Sequence, residues 1–308
     1  MPSQDGAVMH LAGYQGEGSI LTAALTRLAD TLRELAPDWL VYQQSNVPAA
    51  GETAQSLFAS VELGQRQLCY MASGYLSARV PELEMLDLPF AVNDRTAALA
   101  ALDGAAGQWL RQAVAQQTGY QVLAFWDNGF RHISNSVRPI RSPSDCQGLV
   151  IRTLDSAVYR EALSSLGFSA CSIDVRDLVR VVQSGEVQAQ ENPLTNLLSF
   201  SLWRHHPFVS LSGHFFGVLL VLCSRSWYDS LDSSRQQALL GAVEVATQQQ
   251  RQAAAAEDAR ALAQLQDLGV QVLKPEALDL AAMKLATAAV RQAHSQALPP
   301  ELLRAYLG

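Results

Sequence analysis

Hydrophobic positions in the first third of the chain change period repeatedly. Val8–Leu11 is a short apolar run followed by Gly13. Leu21, Leu25, Leu28, Leu32 and Leu35 then recur at steps of four and three, one face of a helix, with Ser19 placed to cap it and Pro37 to close it. Trp39–Tyr42 reads as a strand, Thr53–Leu63 as a helix ended by Gly64, and Gln67–Ala72 as a strand again. The alternation of strand and helix predicts a mostly parallel sheet with helices on its faces.

Glu82–Phe90 is irregular, and Asp94–Gln117 is an alanine-rich helix with a break expected at Gly104 and Gly107. Gln121–Trp126 reads as a strand. Asn128–Pro143 carries turn-forming residues and is expected to be a loop or crossing segment at a lobe boundary. Leu149–Thr153 is a strand, Ser156–Leu166 a helix ending at Gly167, and Val175–Ser184 a helix ending at Gly185. Glu186–Gln190 reads as a short strand, after which Asn192–Pro193 opens a turn. Val218–Cys223 is apolar enough for the centre of a sheet. From Ser233 to Leu268 the helical pattern is unbroken, and 36 residues make a rod of roughly 54 Å. Such a rod crosses two lobes unless it kinks at Gly241. Gly269 is a suitable residue to end it, Val270–Leu273 reads as a strand, and Leu278–Leu307 as terminal helices.

Composition narrows the class. The chain has 308 residues, 49% hydrophobic and 17% charged, which excludes a disordered protein and suggests about two domains. A net charge of −7 argues against nucleic acid as a partner. Cys69, Cys146, Cys171 and Cys223 form no CxxC pair, so neither a zinc site nor a disulfide framework is expected, and the thiols read as buried and free. The longest apolar run, Phe215–Cys223, is far short of the ~20 residues of a membrane-spanning helix. The start, MPSQDGAVMHLAG, shows no basic segment followed by an apolar one, so no secretory signal is visible.

The candidate chemistry is sparse. Gly13–Gly18 (GYQGEG) lies between a strand and a helix, but its spacing is GxxGxG, and a strand-to-helix turn explains it better than a nucleotide site. There is no GxSxG elbow and no HExxH, and the adjacent His205 and His206 cannot both face one metal. Two arginines stand out. Arg152 lies in the otherwise apolar strand LVIRT, where an unpaired guanidinium is costly, so it needs a carboxylate from the protein or from a ligand. Arg131 lies in NGFRHISNS, and an exposed ion pair would account for it. Asn192 precedes a proline, which holds its backbone extended and aims its amide.

As a set, LDLPF at Leu86–Phe90, NGFRHISNSVRPI at Asn128–Ile140, SPSDCQGLVIR at Ser142–Arg152, SLGF at Ser165–Phe168 and QSGEVQAQENP at Gln183–Pro193 resemble one family. They are similar to the DctP-type substrate-binding proteins of tripartite ATP-independent periplasmic (TRAP) transporters, over about Gly13–Gly269. The resemblance implies an α/β, two-lobed periplasmic-binding-protein-like fold with mixed sheets, flanking helices and a long helix, 233–268, spanning both lobes. Lobe 1 is expected over 1–127 with a return segment near 215–250, lobe 2 over 128–214, and the C-terminal strand and helices, 270–308, packed on the lobes. It implies an organic acid (a dicarboxylate, uronate, keto acid or aromatic acid) bound in the interlobe cleft by Arg152, with Arg131 as a second cationic contact and Asn192 bracing the arginine and orienting the carboxylate. Ser73, Tyr75, Trp126, Val175, His214 and Phe215 are expected to line the cleft.

The same resemblance implies membrane permease subunits as partners, a monomer, a periplasmic location, no catalysis, and no metal or cofactor. An exported receptor needs a signal peptide, so the expectation is that one has been removed and that MPSQDG is an artificial start. A sensor protein for the same acids, or an enzyme acting on one, are the other readings of these residues. Two departures from the family pattern are visible. Val150 stands where many members have lysine, and Gln188–Ala189 where many have Asp-Gly, which makes the loop carrying Asn192 the least certain part of the match.

Overall fold

The computed structural model describes residues 8–308, so the MPSQDG start lies outside the described residues. One mixed sheet of nine strands runs through the molecule. The strands are β1 (Val8–Ala12), β2 (Leu40–Gln44), β3 (Leu68–Ala72), β4 (Tyr120–Asn135), β5 (Val150–Thr153), β6 (Ser169–Ser172), β7 (Ala189–Asn192), β8 (Phe208–Ser224) and β9 (Gln271–Leu273). Their order is β2-β1-β3-β8-β4-β7-β5-β6, with β9 beside β8.

Two strands build both lobes. The first part of β4 and the last part of β8 pair with each other beside β3, as Trp126↔Leu219 and Met71↔Leu220 show. Further along, β4 turns to β7 through His132↔Asn192, while the start of β8 takes β9 through Val209↔Val272. One apolar core therefore sits under β1–β3, with Met9, Leu25, Tyr70, Phe125 and Leu220 buried in it. Two smaller cores flank the other half, one around Ile133, Ile151 and Leu163, the other around Val181, Leu197 and Val209.

The helices are α1 (Ile20–Leu35), α2 (Ala54–Glu62), α3 (Arg95–Asp103), α4 (Ala105–Gln117), α5 (Ala157–Ser165), α6 (Leu178–Gln183), α7 (Leu194–Ser199), α8 (Arg225–Ser230), α9 (Ser233–Asp267), α10 (Leu280–Ala286), α11 (Ala288–Ala297) and α12 (Pro300–Leu307). Ser19 caps α1 by accepting from the Leu21 amide, and Thr53 and Ser56 form a reciprocal capping box at α2. The break between α3 and α4 falls at Gly104 alone. Helix α9 runs through Gly241 without interruption and packs on α1 from one half and α7 from the other. It is fastened to β4. The Trp126 indole N–H donates to Thr247 Oγ1 (3.0 Å), and Gln250 both accepts from the Asp127 amide (2.9 Å) and donates to the Asp127 carbonyl (2.6 Å).

Several segments depart from the pattern reading. Asn128–Asn135 is strand, not loop. The Asn-Gly pair is a bulge, with Gly129 at φ +84° and register shifts at Asp127/Gly129 and Arg131/Ile133. The strand expected over Glu186–Gln190 lies later, over Ala189–Asn192, so Asn192 ends β7 and Pro193 caps α7. Strand β8 begins ten residues before Val218. Strand β6 and the short helices α7 and α8 carry too few apolar residues to show a period.

Candidate functional site

The sheet brings the ends of β3, β5 and β7 and the bulged middle of β4 to one place between the two halves. A small chamber of about 20 Å³ lies there. It is lined by Tyr14, Ala72, Tyr75, Asn128, Arg131, Arg152, Leu154, Val175, Asn192, Asn196 and Phe200. That is room for about one water.

Arg152 is the third residue of β5, where strand alternation would ordinarily place an apolar side chain. It is 2% exposed. Its Nε donates to the Ile173 carbonyl (2.8 Å) and its Nη2 makes a long bond to the Tyr75 hydroxyl (3.3 Å). Among the described residues no carboxylate forms an ion pair with it. The Tyr75 hydroxyl also accepts from the Val175 amide (3.2 Å), so two donors orient it. Burial raises the Tyr75 pKa, and the nearby Arg152 charge offsets this only in part, so its own O–H remains a donor.

Arg131 is in the opposite situation. Its Nε pairs with Glu191 Oε2, and its Nη2 donates to Glu191 Oε1 (3.0 Å), to the Glu191 carbonyl (2.8 Å) and to Asn192 Oδ1 (3.1 Å). Burial alone would lower the arginine's pKa, but the Glu191 charge and hydrogen bond, together with Tyr159 and Tyr14, outweigh it and the net shift is upward. Glu191 Oε1 also accepts from Thr153 Oγ1 (2.9 Å). The two residues neutralise each other with no exposed carboxylate edge.

Asn192 is fixed at both ends of its amide. Oδ1 accepts from Arg131 and from Asn196 (3.0 Å), and Nδ2 donates to Gln190 Oε1 (2.6 Å). It therefore braces Arg131, not Arg152. Asn196 in turn accepts from Gln15 Nε2 (2.9 Å), a bond that joins the turn after β1 to α7 across the cleft. Other links close the same gap. The Ala54 amide at the start of α2 donates to Asp174 Oδ2 (3.0 Å), and the Ser156 hydroxyl donates to Asp87 Oδ2 (3.0 Å). The two departures from the family pattern meet each other: Gln188 Oε1 accepts from the Val150 amide (3.1 Å), and Ala189 pairs in register with Asn135 and Ile151, so β7 and its Asn192 are held without the Asp-Gly pair.

Of the nine residues expected in the cleft, Arg152, Arg131, Asn192, Tyr75 and Val175 come together around the chamber. Four do not, each for a packing reason. Trp126 is buried against Tyr70 and holds α9. Phe215 is stacked on Tyr159 at 4.0 Å. His214 is buried next to Ser212, 2.7 Å from Nδ1, and 3.8 Å from Glu191, and burial keeps its pKa well below the usual range, so it is neutral. Ser73 starts the 3-10 turn Ser73–Leu76 that delivers Tyr75. Sequence reasoning missed Tyr14, Gln15, Asn128, Glu191 and Asn196. None of them stands out in the sequence: even Glu191, buried within β7, sits in the polar run Gln190–Asn192. The GYQGEG turn has a structural use: a Cβ on Gly13 would stand 2.3 Å from the Tyr70 ring, so the glycine lets β1 pass close to it.

Outside the chamber lies a larger cavity of about 530 Å³ that shares Tyr75 with it. Its walls include Phe58, Leu76 and Tyr120 and the charged groups Glu62, Arg79, Asp155 and Asp174. Tyr75 is part of the partition between the two spaces.

Two sheet lobes joined by continuous strands, closed over a buried guanidinium, define a solute-binding receptor of the periplasmic type. The chain belongs to the bacterial extracellular solute-binding proteins, family 7 (DctP), whose sequence profile matches residues 12–297. It is 33% identical over 225 residues, 73% of this chain and 67% of the other, to a solute-binding protein of Verminephrobacter eiseniae. It is 29% identical, over 71% of this chain and 67% of the other, to the 2,3-diketo-L-gulonate-binding periplasmic protein YiaO of Escherichia coli K12. A TRAP periplasmic solute-binding protein from Polaromonas sp. JS666, bound to D-erythronate, superposes with a TM-score of 0.92 at 26% identity, covering 98% of both chains. The family resemblance and the two-lobed α/β fold are thereby confirmed, and the family is one of receptors, not enzymes. Among the described residues, no helix is long and apolar enough to cross a membrane.

Proposed function

We propose that this chain is a periplasmic receptor that captures an organic acid between its lobes and presents the closed form to the permease subunits of a TRAP-type transporter. Lobe 1 comprises 8–127 with the return strand and helix near 215–250, lobe 2 comprises 128–214, and 270–308 braces both. The single observation that carries the reading is Arg152: a guanidinium 2% exposed, without a carboxylate partner among the described residues, facing an interlobe chamber. Burying an uncompensated charge is expensive, and a ligand carboxylate removes that cost.

The mechanism follows from the geometry. A chamber of about 20 Å³ admits no organic acid while closed, so the lobes part first. The acid pairs with Arg152 and receives the Tyr75 O–H, while Asn128 and Asn192 face its chain. Closure then makes the Gln15–Asn196, Ala54–Asp174 and Ser156–Asp87 bonds. These cross-cleft bonds bias the equilibrium toward closure, and the ligand adds the charge-assisted pair that only the closed, water-poor chamber strengthens fully. The location and the acidic ligand are supported by the relatives, among them YiaO as a periplasmic protein and the Polaromonas receptor with its bound D-erythronate.

The test is a thermal-shift screen of the purified chain against a library of organic acids, repeated with Arg152→Ala. A ligand that binds only the folded chain raises Tm by mass action. Stabilisation by an acid that disappears in Arg152→Ala supports the receptor reading. Equal stabilisation of both proteins removes Arg152 from the site.

A further inference from the structure

The chamber and its rim together count charges, and the count specifies the ligand. Two guanidinium groups line the chamber, but only Arg152 is uncompensated, because Glu191 neutralises Arg131 through two hydrogen-bonded contacts. The remaining polar lining is uncharged: the Tyr14 and Tyr75 hydroxyls and the amides of Asn128, Asn192 and Asn196. The Asn128 side chain has no hydrogen-bond partner among the described residues, although the residue is only 6% exposed. An amide left free at the chamber in this way can meet a ligand hydroxyl or carbonyl.

A second carboxylate has nowhere to go. Inside the chamber it would be buried without a cation. If it reached past Tyr75 into the outer cavity it would meet Glu62, Asp155 and Asp174 against the single Arg79, which is already bound by Glu62 (2.8 Å for each of two bonds). Both placements are repulsive or leave a charge unpaired, which is discrimination by penalty.

We infer, on the reading that Arg152 holds an organic acid, that this receptor selects monocarboxylates carrying neutral oxygen groups and rejects their dicarboxylate counterparts, with Glu191 as the residue that sets the charge count. Glu191 touches no ligand in this arrangement. It acts through Arg131 and is a positioning residue.

Calorimetry with matched pairs tests this. D-Erythronate and meso-tartrate share a four-carbon chain and the C2 and C3 hydroxyls, and differ in a C4 hydroxyl against a C4 carboxylate. Galactonate and galactarate form the corresponding six-carbon pair. The wild-type chain is expected to prefer the singly charged member by about 30-fold or more, the consequence of one poorly paired carboxylate. Glu191→Gln keeps a hydrogen-bonding group beside Arg131 but frees its charge, and is expected to narrow that preference at least about tenfold. A near-ultraviolet circular dichroism spectrum shows whether the variant is folded.

Equal or better binding of the dicarboxylate by wild type overturns the inference whatever the variant does. An unchanged ratio in folded Glu191→Gln removes Glu191 from it. A broader screen decides the case in which neither pair binds: a best ligand with one carboxylate supports the inference, and one with two overturns it while the Arg152 receptor reading stands. Silence across the whole library, in wild type and Arg152→Ala alike, overturns the receptor reading itself.

Discussion

Glu191 and Arg131 form a buried ion pair at the floor of the cleft, with Thr153 donating to the same carboxylate and Asn192 accepting from the same guanidinium. The pair is held from two strands, β4 and β7, that are neighbours in the sheet. Removing one member leaves the other charged and alone. Glu191→Ala is therefore expected to destabilise the fold by about 3–5 kcal/mol, measured by urea denaturation. Glu191→Gln retains part of the hydrogen bonding and should cost clearly less. Equal costs for the two would show that the charge is all that Glu191 supplies and that its hydrogen bonds add nothing.

Arg152 behaves differently, since no protein carboxylate depends on it. Arg152→Ala should leave the ligand-free Tm unchanged or higher, and weaken binding of the cognate acid by on the order of 100-fold. Arg152→Lys should also bind poorly, because an ammonium cannot offer the planar two-point contact. Calorimetry giving near-normal affinity in either variant contradicts the assignment.

Tyr75 joins the arginine to the rim. Its hydroxyl accepts from Arg152 and from the Val175 amide, and Tyr75→Phe deprives both of an acceptor. The expected cost is about 1 kcal/mol in stability and a similar loss in affinity. Because the ring remains, the partition between chamber and outer cavity should persist, and the ligand preference should not widen to longer acids. Tyr75→Ala merges the two spaces and should admit them.

Acid–base behaviour provides a prediction of sign. Asp87 is buried beside Ser156 at a cross-cleft contact, and burial pushes its pKa up to about 7, the Ser156 hydrogen bond opposing this only in part. Its folded pKa thus exceeds the unfolded value of about 4. The folded chain holds the proton more tightly, so this group's contribution to stability is complete below about pH 4 and is lost as pH rises toward and through 7. His294 acts in the same direction. Burial lowers its pKa, but hydrogen bonds to Glu161 and Glu84 outweigh that and raise it, so its contribution is full below the ordinary histidine range and fades above it. Asp87→Asn should flatten the fall in Tm between pH 5 and 8. An unchanged slope would show that Asp87 does not carry the effect.

How much of this was legible beforehand depends on where each residue sits. The helices with a buried stripe, such as α1, and the fully buried β3 announce themselves by period and composition. The second part of β4, the first part of β8 and β6 do not. These strands carry glycine, serine, asparagine and histidine because they form the crossing and the cleft, where polar contacts replace side-chain packing. Arg152 was readable as a charge in an apolar strand. Tyr14, Gln15, Asn128 and Asn196 are ordinary polar residues that acquire a role only when distant segments meet, as the 181-residue separation of Gln15 and Asn196 shows. The family resemblance places Trp126 and Phe215 at the cleft, whereas packing in this chain turns them into the core.

The bulges of β4 bear on how such a receptor moves. Asn128 and Arg131 lie in the stretch of β4 that carries two of its three register shifts against β8. The floor of the chamber and the bulged section of the crossing are the same few residues. In mechanical terms, the load is applied at the fulcrum. On the proposed reading a solute resting there bears directly on the joint, and recognition and folding-over become one event without a relay from a distant sensor.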